Sequence, residues 1–179
     1  DKPPALPNEK PVHSVSLDEF WIDQTEVTNA QYGLCVAAGV GSEPVGWADA
    51  SYTGGFAGDD QPAVGLPWPY ARAYCEWAGA RLPSEAEWEK AAGWDAETGR
   101  RREWPWGDEW DETKCNTGEL GLGGTTPVGI FPDGKSPCGC LDMAGNVWEW
   151  TRSLWGTDWR KPEFLYPYAP DDPERETLD

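Results

Sequence analysis

Glycine and proline interrupt almost every segment of this chain, and they limit how long any helix or strand can be. The 179 residues include 21 Gly and 17 Pro, and few windows free of both exceed about a dozen positions. Loops should therefore make up most of the fold. Because 39% of the residues are hydrophobic, the chain can still bury a core. The 13 Trp, each able to bury about 150–250 Å², are expected to hold the loops together in one domain over residues 1–179.

Acidic residues outnumber basic ones, with 32 Asp and Glu against 14 Lys and Arg, for a net charge of −18. This excess argues against nucleic acid or an anionic membrane as a partner. Two interpretations stay open: a solvated acidic surface, or a few acids that bind divalent cations. We expect neither a membrane span nor a signal peptide, because no stretch has the required run of apolar residues. The sequence leaves the compartment open.

The cysteines are odd in number and contain no C-x-x-C pair; they are Cys35, Cys75, Cys115, Cys138 and Cys140. A zinc knuckle or a thioredoxin-type site is therefore disfavoured. Cys138 and Cys140 flank a single Gly, which puts them too close together for an easy mutual disulfide. We expect the cysteines to be buried structural thiols.

The hydrophobic pattern predicts a strand and then a helix near the start of the chain. Residues 12–22 alternate apolar and polar side chains, with a kink near Asp18, which is typical of a half-buried strand. A helix should follow, with Thr28 and Gln31 as its capping box and Gly39 at its end.

Two more helices are predicted after a long irregular loop over residues 40–67. The first should have Pro69 in its first turn and end at Gly79. The second should be capped by Ser84, with Glu87 completing the capping box.

Four stretches stand out by their order and spacing: DEFWIDQTEVTNAQY, PWPYARAYCEWAGARLPSEAEWEKAA, WPWGDEW and TTPVGIFPDGKSPCGCLDMAGNVWEWT. Together, from about Pro11 to about Trp155, they resemble the formylglycine-generating enzyme family, also called the FGE-sulfatase domain. The resemblance implies an α+β fold of the C-type-lectin-like kind with little regular secondary structure. It also implies an incomplete domain, since the family's first strand and its RGGSW-like C-terminal segment have no match in the chain.

In this family, the segment that matches LDMAGNVWEW wraps a calcium ion, so the resemblance implies a calcium site. Its ligands would be the side chains of Asp142 and Glu149 and the backbone oxygens of Met143, Gly145 and Val147. Such a set suits calcium, which takes about six to eight oxygen ligands. The alternative is structural: Asp142 caps a turn, and Glu149 pairs with Arg152.

The resemblance also implies a second calcium site, formed by Asn116 and the carbonyl of Thr117. The acid expected there falls at Leu120 in a simple register, and the neighbouring Glu119 would substitute for it.

Aromatic side chains in the same motifs are expected to form the core. Trp88, Trp148 and Trp150 should be largely buried, and Trp148→Ala should cost about 3–5 kcal/mol of stability.

Family enzymes oxidise a substrate cysteine to formylglycine with molecular oxygen, using copper held by two cysteines after the RGGSW-like motif. No cysteine of this chain stands in that context, so no catalytic residue carries over, and copper enters only if a further C-terminal segment supplies the cysteines. We expect a calcium-stabilised, non-catalytic binding or sensing module, of the kind attached to bacterial signalling or kinase domains, or the large fragment of a nicked domain. The alternative is part of a formylglycine-generating oxidase. A relative of the ergothioneine-pathway sulfoxide synthases, with iron held by histidines, is disfavoured because His13 is the one histidine.

The fragment interpretation also predicts partners. The C-terminal remainder of the same domain, or another protein or peptide, would cover the edges that an incomplete sheet exposes. A protease that cuts after aspartate would leave Asp179 as the last residue.

Overall fold

The computed structural model describes residues 13–45, 55–158 and 163–164. Their regular elements are α1 Asn29–Ala37, α2 Trp68–Trp77, α3 Glu85–Gly93, β1 Trp94–Asp95, β2 Arg100–Arg101 and the 3₁₀ turns Glu112–Lys114 and Pro132–Gly134. The two strands pair antiparallel as a hairpin. The fold is thus mixed α+β with a large share of loops, as the Gly and Pro content predicts. The C-type-lectin-like topology stays a prediction, and Asp179 lies outside the described residues.

Both predicted capping boxes are present. The Thr28 hydroxyl accepts from the Gln31 N–H at 3.2 Å, and the Gln31 side chain accepts from the Thr28 N–H at 2.8 Å. Ser84 and Glu87 repeat this arrangement at 3.2 and 2.8 Å. Each box satisfies two backbone donors that a helix start otherwise leaves open. No helix within the described ranges has the length and apolar character needed to cross a membrane.

Helices α1 and α2 pack against each other and end as predicted. Gly39 and Gly79 follow them with φ of +76° each, a conformation that favours glycine. Tyr32 and Cys35 on α1 are completely buried. The ring of Tyr32 lies 5.8 Å from that of Tyr74 on α2. The aromatic pair therefore fixes the two helices side by side.

The predicted strand over residues 12–22 is wrong for its described part, 13–22, which forms no strand. Its side chains nevertheless alternate between half-buried and exposed, and both Asp18 and Glu19 are exposed at the predicted kink. An extended segment becomes a strand only where a neighbour pairs with its N–H and C=O groups in register. No ladder of this kind joins it to any other part of the chain that the structure describes.

The predicted irregular loop over residues 40–67 has no helix or strand in its parts 40–45 and 55–67, and residues 46–54 lie outside the description. The Asn29 side chain holds the second part by donating to the carbonyls of Phe56 and Gly58, at 2.8 and 2.9 Å. The backbone N–H groups of Asn29 and Ala30 also donate to carbonyls of this part, so the side-chain amide adds to backbone pairing in fixing the loop.

An ion pair between the exposed Arg81 and the buried Glu87 fixes the start of α3. Arg81 donates to both carboxylate oxygens of Glu87 at 2.7 Å, and the Ser84 N–H donates to one of them at 2.8 Å. Burial alone would raise the pKa of Glu87, but these hydrogen bonds and the charge of Arg81 lower it to about 2. Glu87 therefore stays ionised and anchored at neutral pH.

The core beneath α3 is small. It consists of buried Ala91, Cys140 and Met143, with Ile22, Trp88 and Ala92 packed against them. Two of its members, Cys140 and Met143, come from the stretch that carries the predicted calcium ligands, so the packing of α3 positions that stretch.

The five cysteines are free, and their environments differ. Cys35, Cys115 and Cys140 are buried as predicted, and Cys75 is half-buried. The prediction is wrong for Cys138, which is exposed, because the turn that carries it lies at the edge of the small core rather than inside it.

Candidate functional site

The segment 141–152 crosses the molecule without helix or strand and is fixed at both ends. At its start, the Leu141 N–H donates to the Gln24 carbonyl at 2.7 Å. At its end, the Arg152 N–H donates to the Pro83 carbonyl at 2.9 Å. These bonds tie the segment to the extended N-terminal stretch and to the cap of α3. We call it the site loop.

The site loop turns through backbone conformations that few residues adopt. Asp142, Gly145 and Asn146 have φ of 56°, 89° and 58°; Asp and Asn tolerate this region better than most residues with side chains. At Gly145 glycine is needed for space as well, since a Cβ would collide with the Asn116 carbonyl and lie 3.1 Å from Thr117 Cγ2. The tight turn thus brings the site loop directly against residues 116–117.

Asn146 joins three separate segments through its side chain. Its Oδ1 accepts from Asn116 Nδ2 at 3.1 Å and from the Thr126 N–H at 2.9 Å. Its Nδ2 donates to Glu26 Oε1 at 3.0 Å. The Asn146 N–H also donates to the Asn116 carbonyl at 2.8 Å. Buried networks of this kind specify one arrangement of the loops, because each unmade bond is costly.

Three carboxyl groups, two on the site loop and one beside it, lie close enough together to influence one another's pKa. Burial raises the pKa of Glu26 to about 7, and the charges of Asp142 and Glu149 add to the rise against its hydrogen bonds. Burial also raises the pKa values of Asp142 and Glu149. Glu26 Oε2 has no hydrogen-bond partner among the described residues. Negative charge is therefore poorly stabilised here, and a bound cation would relieve the repulsion.

Asp142 also stabilises the local structure, in line with the alternative prediction that it caps a turn. It is 6% exposed, and its Oδ2 accepts from the N–H of Gly129, at 2.5 Å. Gly129 lies in a turn, so Asp142 does cap one. Arg152 lies near enough to Glu87 to help lower the pKa of that carboxyl. One oxygen of Asp142 thus holds the loop in place, and a cation could contact the other.

The residues predicted for a second calcium site lie beside the first. Asn116 and Thr117 contact the turn at Gly145, and Asn116 bonds to Asn146. Glu119 is exposed, and hydrogen bonds with Thr117 and its own backbone lower its pKa. Asn116 and Thr117 therefore belong to the same region as the site loop, whereas Glu119 lies at its periphery.

Within residues 13–45, 55–158 and 163–164, no group of three or more His, Cys, Asp or Glu side chains is arranged to hold a metal ion. The predicted calcium site uses two carboxylates and three backbone oxygens, so it does not require such a group. Calcium at Asp142 and Glu149 therefore stays a prediction.

A cavity of about 1040 Å³ runs along the site loop. Its walls include the indoles of Trp68, Trp88, Trp148, Trp150 and Trp155. The carboxyl groups of Asp142 and Glu149 also line it. The indole N–H of Trp88 is buried without a hydrogen-bond partner among the described residues, and it lies near enough to Glu149 to oppose the rise in pKa of that carboxyl. Apolar walls with a few polar groups are typical of ligand-binding pockets.

The prediction of three buried indoles is wrong for two of them. Trp88 is half-buried, whereas Trp148 is 103% exposed and Trp150 is 52% exposed. The Trp150 N–H donates to the Leu66 carbonyl at 2.7 Å, so this ring is held in place although it faces solvent. Met143 of the site loop is buried in the core, but Trp148 lies in the part of the loop that borders the cavity, and no described residue covers its ring. Trp148→Ala should therefore cost no more than about 0.5 kcal/mol, as at other surface positions.

Two residues central to the site were not among the predicted ligands. Glu26 comes before α1 in the sequence and reaches the site loop only in the folded chain. Asn146 follows Gly145, and a Gly-Asn pair signals a turn; the sequence does not reveal that its side chain joins three segments.

Residues 2–168 match the sulfatase-modifying factor enzyme 1-like domain, the FGE-sulfatase family. Hercynine oxygenase of Mycolicibacterium thermoresistibile is 39% identical over 86% of this chain and 40% of its own length. Formylglycine-generating enzyme of Thermomonospora curvata is 32% identical over 91% of this chain and 70% of its own length. The serine/threonine-protein kinase Pkn1 of Chlamydia trachomatis is 36% identical over 91% of this chain and 27% of its own length. The chain thus spans about two-fifths of the length of the hercynine oxygenases it matches.

Proposed function

Because this chain belongs to the sulfatase-modifying factor enzyme 1-like family, we propose that it forms the ligand-binding part of an oxidase- or oxygenase-type enzyme. Relatives named hercynine oxygenase and formylglycine-generating enzyme support an oxidative function. The sequence-based preference for a non-catalytic module gains no support from those names. The observation that carries the proposal is the indole-lined cavity of about 1040 Å³ along the site loop.

The chemistry of the cavity favours a small organic cation as its ligand. Indole faces attract cations through the negative face of the ring, and Trp148 and Trp150 expose theirs. The carboxyl groups of Asp142 and Glu149 lie in the same walls, and the net charge of −18 adds a long-range attraction for cations. Hercynine, which appears in the name of the relative hercynine oxygenase, is a candidate ligand for this cavity.

Metal chemistry is a separate part of the proposal. A redox-active copper or iron ion would, when bound, supply the activation of dioxygen. His13 is the one histidine of the chain, and by itself it does not fit an iron site built from histidines. Copper binding is proposed only if a segment that matches the family's C-terminal motif supplies the cysteine ligands.

Calcium at the site loop is proposed as a structural ion. The support is the clustering of Glu26, Asp142 and Glu149, each with a raised pKa, and the repulsion that the charges of Asp142 and Glu149 exert on Glu26. Hard oxygen donors of this kind suit calcium. Asp142 and Glu149 would bind the ion together with the backbone oxygens of the turn, and the charge of the ion would offset the negative charge of the nearby Glu26.

Calcium should raise the melting temperature of the chelator-treated protein, because an ion that binds only the folded state stabilises it by mass action. Asp142→Asn keeps an oxygen for the Gly129 N–H but removes the charge, so the shift on adding calcium should shrink severalfold. Asp133→Asn, at an exposed position, is the matched control and should keep the full shift. Calorimetric melting with and without calcium gives the answer. An unchanged melting temperature on adding calcium would contradict the proposed calcium site.

Organic-cation binding is tested with two small probes of similar shape, tetramethylammonium and neutral tert-butanol. Ligand-observed NMR should detect binding of the cation and weaker binding of the alcohol. Trp148→Ala should weaken cation binding severalfold without unfolding the protein, since this ring is fully exposed. Trp21→Ala is the control, because Trp21 is 96% exposed and is not part of the cavity lining. Equal binding of both probes, or equal losses in both variants, would contradict a cation-binding cavity.

A non-catalytic recognition module is the second candidate. It is favoured by the similarity to Pkn1, in which the matching region is 27% of a protein named as a kinase. The occupant of the cavity would then be a peptide, either the C-terminal remainder of the domain or another protein. Oxygen uptake in the presence of ligand and added copper or iron separates the candidates, since a recognition module binds without consuming oxygen.

A further inference from the structure

We propose that Cys138 and Cys140 form a redox-active dithiol that exchanges with low-molecular-weight disulfides such as glutathione disulfide. Their sulfurs lie 3.5 Å apart, Cys138 is exposed and Cys140 is buried. The Cys138 sulfur can therefore react with a reagent from solvent, and the Cys140 sulfur lies next to it, in position for the second step. This inference goes beyond the proposed function and does not depend on the cavity.

The turn that carries the pair brings both sulfurs to the same side. The Ser136 N–H donates to the Cys140 carbonyl at 2.8 Å, and the Gly139 N–H donates to the Ser136 carbonyl at 2.9 Å. Gly139, between the two cysteines, has φ of 96°, a value that favours glycine. The sequence-based expectation that one intervening residue keeps the thiols from an easy disulfide stays a prediction, and the proposed exchange would overturn it. The fold already holds the sulfurs in contact, and a disulfide needs them to approach to about 2.05 Å.

The surroundings of Cys138 suit the attacking thiol. The Ser136 hydroxyl lies 3.3 Å from its sulfur and can donate to a thiolate, whereas the Ala91 carbonyl at 3.2 Å accepts from the sulfur only while the thiol is protonated. Burial opposes ionisation, but hydrogen bonds from Ser136 and Cys140 lower the pKa of Cys138 below its usual range. Thiolates are the nucleophiles in disulfide exchange.

The reaction balances in two exchange steps. In the first, the Cys138 thiolate attacks one sulfur of glutathione disulfide, a new S–S bond forms, and one glutathione leaves as a thiolate. In the second, Cys140 gives up its proton through solvent to the released glutathione thiolate and attacks the sulfur of Cys138; the mixed disulfide breaks, and the second glutathione leaves as a thiolate that takes up the proton released from Cys138. The protein is oxidised by two electrons, and one glutathione disulfide is reduced to two glutathione molecules.

The test uses the full chain, reduced and freed of reductant, then mixed with glutathione disulfide, quenched with acid and analysed by mass spectrometry with peptide mapping. The wild type should lose two hydrogens and contain a Cys138–Cys140 disulfide. Cys140→Ser, or Cys140→Ala if the first variant folds poorly, should instead accumulate a glutathione adduct on Cys138. Cys138→Ser should react at least about tenfold more slowly. Cys75→Ser, at a half-buried thiol, should behave as the wild type.

Two outcomes would overturn the proposal. One is a lasting glutathione adduct on the wild type without an internal disulfide, since the buried sulfur would then fail to resolve it. The other is reaction of Cys75 as fast as that of Cys138, which would mean that exposure to reagent, rather than the pair, governs reactivity.

Discussion

Glu26→Gln is expected to stabilise the metal-free protein by about 3 kcal/mol at about pH 8 and to leave its stability nearly unchanged below about pH 4.5. The amide oxygen can still accept from Asn146 Nδ2, which now bonds to Glu26 at 3.0 Å. The new NH₂ group can face Asp142 without repulsion. Denaturant unfolding at several pH values, with a chelator present, measures the difference.

The direction of this pH dependence follows from the pKa of Glu26, which is about 7 in the folded protein against an ordinary 4.5. Between these values the folded protein binds more protons than the unfolded chain. The contribution of Glu26 to the free energy of unfolding is therefore largest below pH 4.5, falls as the pH rises towards 7 and then levels off. Glu26→Gln should flatten this dependence.

The exposed Glu43 offers a matched control, since Glu43→Gln should leave the pH dependence as it is in the wild type. If the wild type loses no stability between pH 4.5 and 8, Glu26 does not titrate as the structure indicates. Added calcium gives a second contrast. It should stabilise the wild type at pH 8 more than the Gln variant if Glu26 helps to bind the ion.

Asn146→Ala should destabilise the protein by about 4 kcal/mol, because it leaves buried polar groups without partners at about 1–3 kcal/mol each. These groups are the Thr126 N–H and Glu26 Oε1, which the Asn146 side chain now bonds; Asn116 Nδ2 also loses its bond to Asn146 but keeps the one to the Gly124 carbonyl. Alanine also fits poorly at φ of 58°. Chemical denaturation measures the loss.

Asn146→Asp is the informative companion variant. It keeps an oxygen for Thr126 and Asn116 but puts a second carboxylate oxygen against Glu26, whose Oε1 is 3.0 Å from the present Nδ2. Its loss of stability should therefore be larger at pH 8 than at pH 5, whereas the loss in Asn146→Ala should depend less on pH. A cost below about 1 kcal/mol for Asn146→Ala would mean that the three segments are held by other contacts.

Local features of the fold were predictable because their causes are local. The capping boxes at Thr28 and Ser84 join residues three positions apart, so the sequence contains both partners and their spacing. Glycine after α1 and α2 ends those helices for an equally local reason. The resemblance to the FGE-sulfatase family was drawn from four motifs that can be read directly from the sequence, and the match of residues 2–168 confirms it.

The environment of each site residue was decided by the tertiary structure. Glu26 and Asn146 are 120 positions apart, and no local pattern states that one bonds to the other. The alternation over residues 13–22 correctly indicates which side chains are half-buried, but only a neighbouring strand in register could have made it a strand. The exposure of Trp148 and of Cys138 also depends on which segments pack nearby in the folded chain. The sequence determines which groups are apolar, ionisable or nucleophilic, whereas burial, charge repulsion and sulfur–sulfur contact depend on segments that meet only when the chain folds.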